Sequence, residues 1–264
     1  MPVQRLRVTY RREGPLKFLS LLDMQRLWVR AFRRADVPLA YTEGFSPRPR
    51  FSFAAALPVG VTGEAELMDV YLTRRIAPFF FARAVNRTLP QGVEVIHGED
   101  VDVNLPSLQA LTRSAEYRVI LETGAAREAV EDVVRRLLAR SSLPWEQKRE
   151  GSVRHYDLRP LVEDVRVEDV AGGRAVLFMR LKMDMSGAGR AEQVTAALGF
   201  AEPPLAVHRV RLILARPVEV LAARHAAPMP SSPRAAGGPD DPRDDVVGAD
   251  PCVRPDVRGV TDAP

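Results

Sequence analysis

The chain has 264 residues, 46% of them hydrophobic, and this length and composition suggest a globular protein of one or two domains. Its single cysteine, Cys252, excludes disulfide frameworks, zinc clusters and protein-ligated iron–sulfur clusters built by this chain alone. No segment approaches the ~20 apolar residues of a membrane span. The N-terminus lacks the apolar run of a signal peptide, so we expect a cytoplasmic protein that does not bind membranes.

The net charge of +4 is unevenly distributed along the chain. Residues 1–56 contain eleven basic and four acidic side chains, a net charge of +7, whereas residues 216–264 carry a net charge of −2. Positive charge is therefore concentrated near the N-terminus, where it can attract a polyanion such as RNA.

The first predicted elements are a strand and an amphipathic helix. Residues 4–11 alternate apolar and polar side chains, which predicts a strand with one solvent-exposed basic face. Ser20 and Asp23 have the spacing of a helix-capping pair, and a helix that follows Ser20 would gather its apolar side chains on one side. The opposite side carries Arg26, Arg30, Arg33 and Arg34. A run of charges often means only a solvated helix face, so its interpretation depends on the segment that follows.

After a short strand predicted at residues 37–41, an arginine-bearing loop occupies residues 44–50. Two prolines at alternate positions hold this loop near extended geometry, which would direct Arg48 and Arg50 to the same side. Phe45 can stack on an RNA base or plug the core, and of the two we expect the core role. An arginine stripe, a stiff arginine loop and an aromatic side chain are typical ingredients of a nucleic-acid surface.

The remaining pattern predicts an α+β fold of two tandem ferredoxin-like halves, each in the order β-α-β-β-α-β. We place the first half at residues 1–98, a connector at 99–114 and the second half at 115–215. The further predicted strands are 50–59, 66–73, 92–97, 116–122, 145–149, 153–170, 174–183 and 207–214, and the further helices are 78–89, 125–140 and 190–198. Residues 216–264 are rich in Pro, Ala, Gly and Asp, which predicts a disordered tail.

The polar residues suggest no catalytic constellation, and we predict no catalytic residue, metal or cofactor. Glu66 and Asp69 would point to opposite faces of a strand, so we interpret Asp69 as an anchor for an arginine. The four histidines lack the spacing of metal ligands. A glycine-rich loop precedes the helix predicted at the end of the second half, where Gly187, Gly189 and Arg190 could hold a phosphate.

Several residues together carry a resemblance to a known family. They include Asp23, Tyr41, Gly44, Pro47, Ser52, Phe53, Gly60 and Asp69, with Asp157 and Arg159 further along the chain. With them the chain resembles the radical-SAM-associated (radical-SAM-linked) protein family, a bacterial domain of unknown function that also occurs fused behind radical SAM enzyme domains. The resemblance covers residues 3–215. It implies a radical SAM partner, which would bring the cluster-binding cysteines that this chain lacks.

The chain also departs from that family at several positions. The family usually has histidine where this chain has Leu22 and Arg48, tyrosine where it has Leu67, and often proline where it has Ala191. A role that rests on those histidines is therefore weakened here, which argues against catalysis. From the residues alone, Asp157 and Arg159 are expected to have a structural role at a strand end.

These observations favour a non-catalytic accessory module that binds structured RNA, either ribosomal or transfer RNA, and presents it to a radical SAM enzyme. The predicted RNA-binding residues are Arg26, Arg30, Arg33, Arg34, Phe45, Arg48, Arg50, Gly187, Gly189 and Arg190. One alternative is a metal-independent ferredoxin-like ribonuclease that uses Tyr41 or His155. Another is a protein-binding adaptor whose arginines dock on an acidic partner. Sequence-specific DNA binding is not expected.

Overall fold

A mixed β-sheet of nine strands runs through the protein in a computed structural model, which describes residues 1–149, 152–184 and 186–226. The strands in these ranges are β1 (Gln4–Arg12), β2 (Phe51–Phe53), β3 (Thr62–Leu72), β4 (Val93–Val101), β5 (Thr112–Glu122), β6 (Pro144–Arg149), β7 (Ser152–Asp157), β8 (Val162–Ala171), β9 (Arg174–Asp184), β10 (Gly187–Ala188) and β11 (Ala206–Leu214). The helices are α1 (Leu21–Arg34), α2 (Pro78–Asn86), α3 (Leu108–Leu111), α4 (Arg127–Leu138), α5 (Ala191–Ala197) and α6 (Pro217–Ala226). The fold is therefore α+β, with β6 and β7 as a hairpin outside the large sheet.

Helix α1 forms where the sequence predicts it. The Ser20 hydroxyl donates to Asp23 Oδ2 at 2.7 Å and accepts from the Asp23 amide at 3.2 Å, which satisfies the start of the helix. The hydrogen bond from Ser20 also lowers the pKa of the Asp23 carboxyl. The buried side chains of α1 are Met24, Leu27, Trp28, Ala31 and Phe32. All five belong to the predicted apolar side, so the arginine-bearing side faces solvent.

The sheet is assembled from both ends of the chain. β4, β1, β3 and β2 lie side by side in antiparallel pairs, and so do β11, β5, β9 and β8. A short parallel pairing of β11 with β3 joins the two groups, with His208 opposite Thr62 and Arg209 opposite Gly63. The sheet is thus continuous, and its division into two ferredoxin-like halves with boundaries at residues 98 and 115 stays a prediction.

The strand expected at residues 50–59 is wrong in extent, because only β2 forms there. After β2 the chain leaves the sheet and turns carbonyl groups towards buried arginines. Arg12 Nη2 donates to the carbonyl oxygens of Pro58 and Val61, both at 2.9 Å. These hydrogen bonds hold the segment after β2 away from a strand ladder, which accounts for the loss of the strand over residues 58–59.

The strand expected at residues 153–170 is also wrong, because it is divided into β7 and β8. A 3-10 turn at Arg159–Leu161 separates the two, and Pro160 within it cannot donate to a strand ladder. β7 pairs with β6 instead of joining the large sheet. The short strand expected at residues 37–41 is reduced to isolated bridges.

β1 buries most of the basic face expected from its alternation, although Arg11 is exposed. Arg5 and Arg7 are buried, and both donate through Nε to the carboxylate of Asp69 on β3, at 3.0 and 3.1 Å. Arg5 also donates to the carbonyl oxygens of Leu105 and Pro106, at 2.6 and 2.8 Å. These bonds fasten the segment after β4 to the sheet. The expected role of Asp69 as an arginine anchor is confirmed.

The first part of the predicted disordered tail is helical. α6 continues the chain as a helix, and its Val220 is buried, so disorder starting at residue 216 is wrong for this segment. The rest of the predicted tail, including Cys252, lies outside the described residues. None of the helices in the described ranges has the length and hydrophobicity to span a membrane.

We expect Asp69→Asn to lower the free energy of unfolding by about 3–5 kcal/mol, because two buried guanidinium groups would lose the carboxylate that they share. Glu94→Gln is the matched control, since Glu94 pairs with Arg11 where both side chains are half exposed. There a loss of about 1 kcal/mol or less is expected. Urea denaturation followed by circular dichroism measures both variants, and equal losses would contradict the anchoring role of Asp69.

Candidate nucleic-acid interface

The solvent-facing side of α1 carries four exposed arginines. Arg26 pairs with Asp23 at 3.2 Å, but no carboxylate in the described part of the chain lies within ion-pair distance of Arg30, Arg33 or Arg34. Arg33 and Arg34 lie in the last turn, where the negative end of the helix dipole stabilises positive charge. This face of α1 therefore presents three positive charges that no carboxylate in the described ranges neutralises, so they are available to an anionic partner.

Residues 41–49 form a narrow, hairpin-like loop at the edge of the sheet. The Thr42 amide donates to the Arg48 carbonyl at 2.9 Å, and the Arg48 amide donates to the Thr42 hydroxyl at 3.0 Å. Gly44 has a φ of +118°, which other residues rarely adopt, so this turn requires glycine. Arg48 is thus exposed on a loop whose two arms are hydrogen-bonded to each other. We call the exposed arginines of α1 and of this segment the arginine surface: Arg26, Arg30, Arg33, Arg34, Arg48 and Arg50.

Phe45, near the tip of the loop, is fully exposed, so its expected role as a core plug is wrong. The core beside β2 is already filled by aromatic rings. Phe32 packs on Phe51 with ring centroids 5.6 Å apart, and Phe51 packs on Phe53 at 5.8 Å. A flat ring left in solvent beside arginines is suited to stacking on a nucleic-acid base.

Arg50 holds the returning arm of the loop against β3. Its guanidinium lies 4.4 Å from the centroid of the Tyr71 ring, and its amide donates to the Ala40 carbonyl at 2.7 Å. Two positions further on, Ser52 lies opposite Asp69 in the ladder of β2 and β3. The loop is therefore built on the same part of β3 that anchors the buried arginines.

A cleft of about 420 Å³ lies beside the base of the loop. Its lining residues are Met1, Pro2, Ala40, Tyr41, Thr42, Glu43, Arg50 and Thr73. The hydroxyl group of the exposed Tyr41 and the guanidinium of Arg50 are both groups that bind phosphate oxygens. This cleft could receive part of a polyanion held by the arginine surface.

The second predicted phosphate site has a different geometry from the one expected. The Gly187 amide donates to Asp184 Oδ1 at 3.2 Å, and the Gly189 amide donates to the Lys182 carbonyl at 2.9 Å. These amides are bound within the protein, so they do not offer a free cradle for phosphate. Of the three residues, Arg190 has an exposed side chain, and phosphate binding by it stays a prediction.

Asp157 and Arg159 are structural, as expected, but they act through backbone groups. Asp157 Oδ1 accepts from the amides of Leu143 and Arg159, at 2.7 and 2.9 Å, and these bonds lower the pKa of its carboxyl. The Arg159 guanidinium donates to the carbonyl oxygens of Leu138 and Arg140, at 2.9 and 3.0 Å. The two residues thus hold the end of α4 against the turn that precedes β8.

A buried charge cluster between β1, β3 and β11 was not predicted from the sequence. Glu66 accepts two hydrogen bonds from Arg209, one of them from Nε at 2.7 Å, and both side chains are buried. Arg12 lies in the same cluster, and burial lowers the pKa of its guanidinium. The sequence pattern could have indicated the burial of Arg209, because it lies two positions from the apolar Val207 and so faces the same side of the strand.

A second paired cluster lies on the sheet between β5, β9 and β11. Glu116 accepts from Arg211 Nε at 2.6 Å and from Arg180 Nη2 at 2.7 Å. The hydrogen bond from Arg211, followed by that from Arg180, lowers the pKa of the Glu116 carboxyl below its ordinary value of 4.5. These two arginines have a counter-charge within the protein, unlike most of the arginine surface.

Comparisons with known proteins give one family and several distant structural neighbours. Residues 5–194 match the model of a family described as "Uncharacterized protein conserved in bacteria (DUF2344)". The curated proteins gave no match. A structure of a Cbf5-Nop10-Gar1 complex is similar at a TM-score of 0.45 and 11% identity, over 78% of this chain and 48% of that chain. The structure of the archaeal box H/ACA sRNP Nop10-Cbf5 complex is similar at a TM-score of 0.42 and 11% identity, over 79% of this chain and 48% of that chain. The chain thus spans about half the length of these matched chains, and at such TM-scores the likeness carries no functional argument.

Acid should remove the stabilisation that Glu116 provides. Because the pKa of this carboxyl is lowered in the folded protein, its contribution is complete above its ordinary pKa of 4.5 and is lost as the pH falls through the folded-state pKa. Glu116→Gln should therefore be less stable at neutral pH and less sensitive to acid. Glu122→Gln, at the exposed end of the same strand, is the control. Urea denaturation from neutral pH to below pH 4.5 gives the free energy of unfolding of both variants. If this free energy depends on pH in the same way for Glu116→Gln and the wild type, the effect is ruled out.

Phe45→Ala should change the free energy of unfolding by no more than about 0.5 kcal/mol, because its ring makes no core contact that could be lost. Phe53→Ala removes a buried ring and should cost about 3–5 kcal/mol. Thermal and urea denaturation compare the two variants. A large loss of stability for Phe45→Ala would mean that the ring is buried in the core after all.

Proposed function

The chain belongs to the DUF2344 family of proteins conserved in bacteria, and from this premise we propose that it is an accessory module that binds structured RNA. The proposed contacts are the arginine surface, together with Phe45 and Arg190. Ribosomal and transfer RNA are the proposed classes of ligand, and the proposed place of action is the cytoplasm. The description of the family names no activity, so the proposal is argued from surface chemistry.

A difference between two exposed helix faces carries the proposal. On α4, Arg135 and Arg136 both pair with Asp132, at 3.0 and 2.9 Å. On α1, Arg30 and Arg34 have no such carboxylate in the described ranges. Guanidinium groups form strong, geometrically specific hydrogen bonds with phosphate oxygens. The backbone of RNA supplies such groups at regular intervals, and it therefore fits the unpaired face better than the paired one.

Phe45 favours an RNA that contains unpaired bases. Stacking of a base on an aromatic side chain contributes about 1–3 kcal/mol and tolerates any base. Loops and bulges of folded RNA present both unstacked bases and phosphates within a short distance. Phe45 and Arg48 share one hydrogen-bonded loop, so a base and a neighbouring phosphate could be bound together there.

We also infer that the two antiparallel strand groups are ferredoxin-like halves. The order β4-β1-β3-β2 with α1 and α2 has the same connections as the order β11-β5-β9-β8 with α4 and α5, apart from two insertions in the second group, the hairpin of β6 and β7 and the short strand β10. This correspondence supports the tandem arrangement expected from the sequence.

The proposed partner is a radical SAM enzyme, and this part rests on the family resemblance seen in the sequence. In that arrangement the enzyme supplies the chemistry and this chain supplies RNA contacts. The ribonuclease alternative gains no support from the geometry. Within the described residues, neither Tyr41 nor His155 makes a side-chain hydrogen bond to a second acid–base group.

A protein-binding adaptor is a second candidate, favoured by apolar side chains at the start of α1. Phe18, Leu22 and Val59 are each more than half exposed. The Gly60 amide donates to the Lys17 carbonyl at 2.8 Å, which brings the two segments together. Grouped apolar side chains in solvent often mark a protein interface. A protein partner could therefore bind here beside the arginine surface.

The double variant Arg30→Glu/Arg34→Glu should bind bulk transfer RNA and fragmented ribosomal RNA at least about tenfold more weakly, because two attractive phosphate contacts become repulsive. The slope of log affinity against log salt should fall by about 1.4–1.8, the value expected for two lost contacts. Filter binding at a series of salt concentrations measures both quantities.

The matched control is Arg135→Glu/Arg136→Glu, which makes the same change of charge on the paired face of α4. It should weaken binding much less. Similar losses for the two double variants would show that only net charge matters, and no loss for Arg30→Glu/Arg34→Glu would refute the interface. A protein that stays bound to the wild-type chain after nuclease treatment would favour the adaptor.

A further inference from the structure

Three polar side chains near the middle of the sheet have no part in the arginine surface. Thr62 and Glu64 lie on β3 and His208 lies on β11, and the parallel pairing of these strands sets His208 opposite Thr62. His208 is 146 residues from Thr62 and 144 from Glu64 along the chain. No local sequence motif can therefore reveal the group, although the fold brings it together.

The geometry links these side chains in a row. Thr62 Oγ1 lies 2.8 Å from His208 Nδ1, and His208 Nε2 lies 3.4 Å from Glu64 Oε2. The tautomer that satisfies both contacts carries its proton on Nε2, so the ring donates to Glu64 and accepts from the Thr62 hydroxyl. A hydroxyl bonded to a base that is itself oriented by a carboxylate is the arrangement that activates a nucleophile.

The group is accessible and has a cation beside it. The His208 side chain is 27% exposed and that of Glu64 is 59% exposed. Arg118 on β5 is the neighbour of His208 across the other side of β11. Glu168 accepts from Arg118 Nε at 2.8 Å, and the terminal amino groups of Arg118 make no hydrogen bond within the described ranges. Such a cation stabilises negative charge that develops on an acyl oxygen.

We propose that Thr62, His208 and Glu64 form a site that hydrolyses carboxylic esters, with Thr62 as the nucleophile. His208 Nδ1 takes the hydroxyl proton as Thr62 Oγ1 bonds to the acyl carbon, and Glu64 stabilises the charged ring. The ester C–O bond then breaks, and the leaving alcohol receives the proton from Nδ1. Water attacks the acyl-threonine and gives a proton to Nδ1. The acid departs as that proton returns to Oγ1.

The position of the site indicates the class of ester. The side chains lie on an exposed part of the sheet, which admits an ester group carried by a large or extended molecule. Arg118 is paired with Glu168 and lies near Glu64, so the site has no excess of positive charge and we expect it to accept uncharged esters. This activity is separate from the accessory role, which requires no chemistry from this chain.

The test uses the full-length protein and p-nitrophenyl acetate, an activated ester that needs no binding pocket. The wild type should release p-nitrophenolate at least about tenfold faster than Thr62→Ala or His208→Gln, and Thr62→Ser should retain the activity. Peptide mass spectrometry after brief reaction should find an acetyl group on Thr62. A merely structural hydrogen bond between Thr62 and His208 would produce no such adduct.

His97→Gln is the control for the general reactivity of surface imidazoles, since His97 is exposed on β4, and it should react like the wild type. An unchanged rate in Thr62→Ala, or an unmodified Thr62 in the wild type, would overturn the proposal. Circular dichroism of each variant separates loss of chemistry from loss of fold. The assay contains no RNA, so its failure would leave the proposed RNA binding unaffected.

Discussion

The buried pair of Glu66 and Arg209 is the interaction on which the continuous sheet depends. It ties β3 to β11 where only two residue pairs of parallel ladder connect the antiparallel groups. Arg209 also donates to the Ala55 carbonyl at 3.3 Å, and Arg12 holds the carbonyl of Val61. The segment between β2 and β3 therefore closes over the pair. An unpaired charge buried in this position is strongly unfavourable. The pairing of β3 with β11, the segment that covers it and the ion pair therefore stabilise one another.

The sequence predicts those elements whose signals are local. α1 was predicted because the 3.6-residue period of its apolar side chains and the capping pair of Ser20 and Asp23 lie within one short segment. Arg5 and Arg7 were predicted to be exposed but are buried, a difference that local signals do not show because the residue that pairs with them is distant in sequence. Their shared partner, Asp69, is 64 and 62 residues away. Alternation shows that a strand has two faces, but it does not show which face another segment covers.

The same distinction applies to the candidate site. Exposure of the arginines on α1 follows from helical periodicity, whereas the position of Phe45 depends on whether the core beside β2 has room for another ring. Gly189 resembled part of a phosphate-binding loop, yet close packing accounts for it, since a Cβ there would lie 2.8 Å from the Leu161 carbonyl oxygen. The contact of Thr62 with His208 depends on the join between β3 and β11, which no stretch of sequence encodes by itself.

That join also has a consequence for how the chain folds during synthesis. β1, β3 and β4 all lie within the first 101 residues, whereas β11 begins at residue 206. Pairing of segments close in sequence is faster, so the N-terminal strands can pair while β11 has not yet been made. Until then the start of β3 is an open strand edge, and Glu66 lacks the hydrogen bonds that Arg209 donates in the finished fold. A charged side chain at an open edge disfavours pairing with another chain, so we expect Glu66 to oppose aggregation of the nascent protein until β11 is made.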